Sequence, residues 1–212
     1  MKNIACIAIH GLFTDKKIEK GNQSLLIYPA IVNPAQGLII VSNGAQTNLI
    51  YSEFINKEES DPGILLHGAL KDEFYIYDPE NRFVDITSTE PDVNNTPRIS
   101  GVISYDKAAL HIVRQIKEET KKEVFPFKLE PSRGRLIATY KGIYVDILQS
   151  FEGNPIDVEF DLDEDHKELA ASVYRSLAPK DSEGRDFRVA VAVMSFNMTN
   201  LETKLAIVNN NR

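Results

Sequence analysis

The chain has 212 residues, 42% of them hydrophobic and 26% charged, with a formal net charge of -7. That composition suits an ordinary globular protein long enough for one full core, and the acidic balance argues against a nucleic-acid groove, which needs clustered Lys and Arg. A lone cysteine, Cys6, excludes an intramolecular disulfide or a cysteine metal cluster, and no stretch reaches the roughly eighteen apolar residues of a membrane span, so a cytoplasmic setting without membrane contact is expected.

Taken in chain order, residues 3–9, 24–32 and 38–42 are rich in Ile, Leu, Val and Tyr and are separated by Gly, Asn and Pro, which predicts strands. Residues 46–57 predict a helix, and residues 63–77, with "ILLHGALKDEF" at their centre, predict a second. The stretch 87–97 carries two prolines and no periodicity and reads as an irregular loop. Strands at 98–105 and 109–116 flank Asp106-Lys107 as a hairpin, and 136–141 predicts a further strand. Leu169, Val173 and Leu177 recur four apart in the clearest helix, 164–177, with Asp163 placed to cap it. The strand 187–196 and the segment "ETKLAIVN" close the chain as a meander. Hairpin-paired strands with helices between the blocks predict one α+β domain over 1–212 with sheet covered by helices.

Standard catalytic and phosphate-cradling motifs are missing, and His10, His67, His111 and His166 are scattered, so no metal site is expected. Four polar stretches carry the functional interest. In "SNGAQT", Gly44 permits a sharp turn from strand into helix, while the Asn43 and Gln46 amides are able to bind a planar amide or ring carbonyl. In "NNTPRISG", Pro97 fixes the chain ahead of Arg98, a permanently charged donor fork at a strand mouth. "ATYKG" sets Tyr140 beside Lys141, and "QSFEGNP" presents Glu152 on a turn, where a carboxylate is able to act as a base. Each also has a plain structural reading: a turn with a helix cap, a surface ion pair, an edge-strand lysine, a solvated loop acid.

Taken in order, "SNGAQT", "TPRISG", "TYKG" and "SFEGNP", followed by an acidic helix and a terminal "VNNN", resemble the IMP cyclohydrolase family of the archaeal type and its bacterial relatives, from about residue 23 to the C-terminus. The resemblance implies a four-layer αββα sandwich of two mainly antiparallel sheets, like the N-terminal-nucleophile hydrolases but without self-processing. It implies a purine-biosynthetic activity, closure of 5-formamidoimidazole-4-carboxamide ribotide to inosine monophosphate with loss of water, with no cofactor and no metal. On the same basis Arg98, Tyr140, Lys141 and Glu152 form the catalytic set. Asn43, Gly44, Gln46, Thr47, Thr96, Ser100 and Phe151 bind substrate. The expected partner is a purine or aminoimidazole ribotide, not nucleic acid, and a homo-oligomer is compatible with the reading.

Family members carry an N-terminal Arg/Ser-rich segment that looks like a phosphate anchor. Here the corresponding "MKNIACIAIHGLFTDKKIEKG" contains no Arg, leaving Lys16, Lys17 and Lys20 as substitute point charges. The alternative reading is therefore a non-catalytic relative that binds a purine nucleotide, another small ligand or a protein partner. An Arg98→Ala change is expected to weaken ribotide binding with little loss of stability.

Overall fold

The computed structural model describes residues 6–7, 28–77, 82–141, 148–159, 165–176 and 190–209. The first half runs β1 (Cys6–Ile7), β2 (Ile31–Ala35), β3 (Leu38–Ser42), α1 (Gln46–Lys57), α2 (Pro62–Leu70), β4 (Tyr75–Tyr77) and β5 (Phe83–Asp85). The second half runs β6 (Arg98–Ser104), β7 (Lys107–Ile116), β8 (Glu119–Lys128), β9 (Arg133–Leu136), β10 (Ile156–Glu159), α3 (His166–Ser176), β11 (Ala190–Phe196) and β12 (Thr203–Asn209). Among the described residues every strand pair is antiparallel, and the fold is mixed α+β.

The centre is a five-stranded sheet in the order β2-β3-β6-β7-β8. All five residues of β3 are buried, as its unbroken apolar run requires of a strand covered on both faces. Alternation then sorts the side chains. Leu38, Ile40, Val102 and Ala109 face α1 and α2, where they meet Ile50, Leu65, Leu66 and Leu70. On the other face Ile39, Val41, Ile103 and Ala108 pack with Phe196 of β11. A second sheet, β1-β11-β12, carries α3 against Val191, Val193 and Ala206. Fully burying one such aliphatic side chain contributes roughly 1.5–3 kcal/mol, so these clusters dominate the stability.

Several expectations change. The segment 63–77 is not one helix: α2 stops at Leu70, and Tyr75–Tyr77 pairs with Phe83–Asp85 as a strand, since two tyrosines around an isoleucine fit a pleated edge better than a helix turn. Asp61 caps α2 by accepting from the backbone N–H of Gly63 and Ile64, with Pro62 in the first turn. The β6–β7 hairpin turns at Tyr105-Asp106, one residue earlier than expected, with Tyr105 at a φ of 51. Leu136 ends a strand where one was expected to begin, and Tyr140 makes only an isolated bridge to Ser150. The expected strand residues 3–5, 8–9, 24–27 and 187–189, together with His10, Lys16, Lys17, Lys20 and Asp163, lie outside the described residues. No helix among the described residues is long and apolar enough to cross a membrane.

Candidate active site

β3 and β6 end side by side, with Ser42 opposite Ser100, and α1 starts above that end. Ser42 donates to the Gly44 carbonyl and contacts the Thr47 hydroxyl, which also donates to the Gly44 carbonyl, so both hydroxyls are spent on holding the strand-to-helix corner. Ala45, at the N-cap position, supplies no side-chain cap. Gly44 does not have a left-handed backbone, and its value lies in space: a Cβ there would stand 2.4 Å from Gln46 Oε1 and 2.7 Å from Arg98 Nη1. The chain does turn from strand into helix at 43–45 as expected, and what calls for glycine there is this close approach, not a left-handed φ.

Asn43 is committed to β6. Its amide donates to the Pro97 carbonyl at 3.0 Å and its oxygen accepts from the Ile99 N–H at 2.8 Å. The same oxygen accepts from Gln46 Nε2 at 3.1 Å, leaving Gln46 Oε1 directed at Arg98 Nη1, 3.5 Å away. Asn43 therefore fixes the strand from which Arg98 projects.

Arg98 is 3% exposed. Its Nε donates to the Ser88 carbonyl at 2.8 Å, and Nη1 forms an ion pair with Glu90 at 2.5 Å. Nη2 is buried with no partner among the described residues. Burial pulls the guanidinium below its ordinary value, against the opposing pull of Glu90. Burial likewise raises the Glu90 carboxyl, with Arg98 opposing and Asp92 reinforcing the rise. Tyr28 completes this charge cluster: burial raises its phenol, Glu90 adds to the rise and Arg98 opposes it.

The remaining stretches connect in sequence. The Thr96 hydroxyl contacts the Tyr140 hydroxyl and also Asp92. Burial raises the Tyr140 phenol, which keeps it a proton donor. Tyr140 bridges Ser150, the Lys141 N–H donates to the Gln149 carbonyl, and the Phe151 N–H donates to the Thr139 carbonyl. Lys141 Nζ stands 2.9 Å from Glu152, which is 64% exposed. Buried Arg114 of β7 grips this segment from beneath, donating to the Phe151 carbonyl at 2.7 Å and the Gly153 carbonyl at 3.3 Å, while Glu123 of β8 takes its Nε at 2.8 Å.

All four polar stretches thus meet in one chain of contacts: Asn43 and Gln46 with 97–99, Thr96 with Tyr140, Tyr140 and Lys141 with 149–152. Phe151 is buried, and its backbone rather than its ring carries the contacts described. Glu90, Tyr28 and Arg114 are missing from the residues singled out by sequence. Arg114 had a legible signal, a charge inside the apolar alternation "ALHIVRQI", whereas Glu90 sits in an irregular loop whose path no pattern encodes. Among the described residues no group of three His, Cys, Asp or Glu is arranged to hold a metal ion.

No curated protein matches the chain. The family model described as IMP cyclohydrolase-like protein matches residues 77–197, more than half of the sequence, and takes in Arg98, Tyr140, Lys141 and Glu152 while leaving the Asn43–Thr47 corner outside. The chain belongs to the IMP cyclohydrolase-like family.

Proposed function

We propose that the protein closes 5-formamidoimidazole-4-carboxamide ribotide to inosine monophosphate. The observation that carries this reading is the chain of contacts that links the polar stretches around Arg98, whose buried guanidinium keeps one NH2 arm without a partner among the described residues, next to the Glu90 carboxylate and within the field of the Tyr28 phenol. The carboxamide nitrogen attacks the formyl carbon, the C=O electron pair moves onto oxygen, and one N–H proton is transferred to that oxygen. The resulting hydroxyl then departs with a second N–H proton as water, leaving the C=N bond of the new ring.

A weakly nucleophilic amide needs orientation, a proton acceptor and stabilisation of the developing oxyanion. Arg98 Nη2 serves the oxygen, because a charge-assisted donor in a water-poor site is strong. Glu90, half-buried with a raised carboxyl pKa, takes the proton in preference to the exposed Glu152. Tyr140 returns a proton to the departing oxygen, and Glu152 holds Lys141 over the site. Gln46 and Asn43 keep Arg98 oriented.

The four-layer αββα order is part of the same reading. It is supported by α1 and α2 on one face of the five-stranded sheet, Phe196 on the other, and α3 against the β11–β12 pair. Incubation of the protein with the formylated ribotide, followed by the appearance of inosine monophosphate, tests the activity. No acceleration over buffer by folded protein rules it out, and ribotide binding without turnover identifies a non-catalytic relative.

A further inference from the structure

The helix-facing side of the central sheet carries, beside Arg98, two polar side chains that the ring-closure scheme leaves unused, Ser100 and His111. Ser42, Ser100 and His111 stand in register across β3, β6 and β7, and Arg98 lies two residues before Ser100 on the same face. Ser42 is satisfied by Thr47 and the Gly44 carbonyl. Arg98 Nη2, Ser100 Oγ and His111 Nδ1 are not: each is buried without a hydrogen-bond partner among the described residues. These three residues are 3%, 3% and 2% exposed.

Buried polar atoms in folded proteins are paired in roughly 90% of cases or more, so three orphans sharing one patch are unlike scattered packing faults. Opposed side chains on one sheet face have Cβ atoms about 5 Å apart, and positions i and i+2 along a strand lie about 7 Å apart, a span that one small planar group bridges. Their chemistry is also specific. Nη2 only donates, the hydroxyl donates or accepts, and a neutral imidazole nitrogen does one or the other. Glu90 already balances the Arg98 charge, which disfavours an anion, whereas an amide offers Arg98 an oxygen and its neighbours an N–H. Burial keeps His111 neutral, with its pKa pushed down to about 4 and with Lys122 and His67 adding to the fall.

We infer that Ser100 and His111, with the free arm of Arg98, receive a carboxamide or formamide group, making His111 a substrate-contacting residue. This rests on the ribotide reading, for which it names the end of the substrate that enters first.

The test titrates full-length, histidine-15N-labelled protein with imidazole-4-carboxamide, which lacks ribose and phosphate. The expected result is a saturable shift of the His111 Nδ1 resonance. Ser100→Ala should weaken binding about tenfold while leaving the melting temperature unchanged or higher, because it deletes an unpaired buried hydroxyl. His111→Asn, which keeps a hydrogen-bonding atom near Nδ1, should retain more affinity than His111→Leu. A His111 signal that stays fixed at millimolar carboxamide, or equal affinity in Ser100→Ala, overturns the inference even if ribotide is turned over. A His111 shift in protein that never closes the ribotide leaves the inference standing and removes the ring-closure reading.

Discussion

Gly44 shows how one missing side chain organises the site. Its backbone is ordinary, so Gly44→Ala carries no conformational strain, yet the new Cβ collides with Gln46 Oε1 and Arg98 Nη1, both held in side chains with almost no exposure. Overpacking of this kind costs about 1–3 kcal/mol, and the expected outcome is a lower urea midpoint together with loss of the Gln46–Arg98 contact. Burial of Arg98 against Glu90 sets aside the surface ion pair of the plain structural reading and changes the expectation that Arg98→Ala costs little stability. Arg98→Ala removes the donor to the Ser88 carbonyl and strands Glu90, so it should cost about 2 kcal/mol or more of stability besides weakening ligand binding. The figure sits below the full cost of breaking a buried pair because Glu90 keeps 35% of its side chain exposed. Denaturant unfolding that gives the wild-type midpoint would return Arg98 to the role of a dispensable surface charge.

At the scale of elements, the 148–153 segment has little regular structure: residues 139–141 and Asn94 bond it along one side, and one buried side chain, Arg114, ties it to the sheet. Arg114→Leu deletes the donors to the Phe151 and Gly153 carbonyls and leaves Glu123 without its cation. A loss of about 2–4 kcal/mol is expected, with faster amide exchange at Phe151, whose N–H otherwise bonds to the Thr139 carbonyl. Exchange as slow as in the wild type would show that the Tyr140–Ser150 bridge suffices. The same elements explain what was legible. β3, α1, the β6–β7 hairpin, α3 and the closing β11–β12 pair announce themselves by apolar runs or four-residue spacing. β8, "ETKKEVFPFK", does not, because an edge strand with charges and a proline satisfies few propensity rules. β4 and β5 depend on each other across a short connection, so neither reads as a strand alone. For the site, motif order selected Arg98, Tyr140, Lys141 and Glu152, but their partners Glu90 and Arg114 come from tertiary approach, which no local pattern encodes.

For the molecule as a whole, His111 links the polar wall to global stability. It lies on a central strand beside Ile112, which is fully buried, under the layer formed by α1 and α2. Protonating its ring while it stays buried means placing a cation near Lys122 and exposed His67, so acid favours the opened chain. The folded pKa of about 4 lies below the ordinary 6.5, and between those values the unfolded state binds more protons. Stability therefore rises with pH across that window, is fully present above about pH 6.5, and is lost as pH falls towards 4. The shift corresponds to about 3 kcal/mol. Glu90, whose raised pKa works in the opposite direction, and Asp61, lowered chiefly by its hydrogen bond to Lys107, also titrate in acid. The informative quantity is consequently a difference between proteins. Unfolding free energies should fall between pH 7.5 and 4.5 by about 2–3 kcal/mol more in the wild type than in His111→Asn, which has no ring to protonate. Equal pH slopes in the two proteins would mean that His111 is solvated and protonates without opening the fold, which would also remove the dry wall on which carboxamide recognition depends.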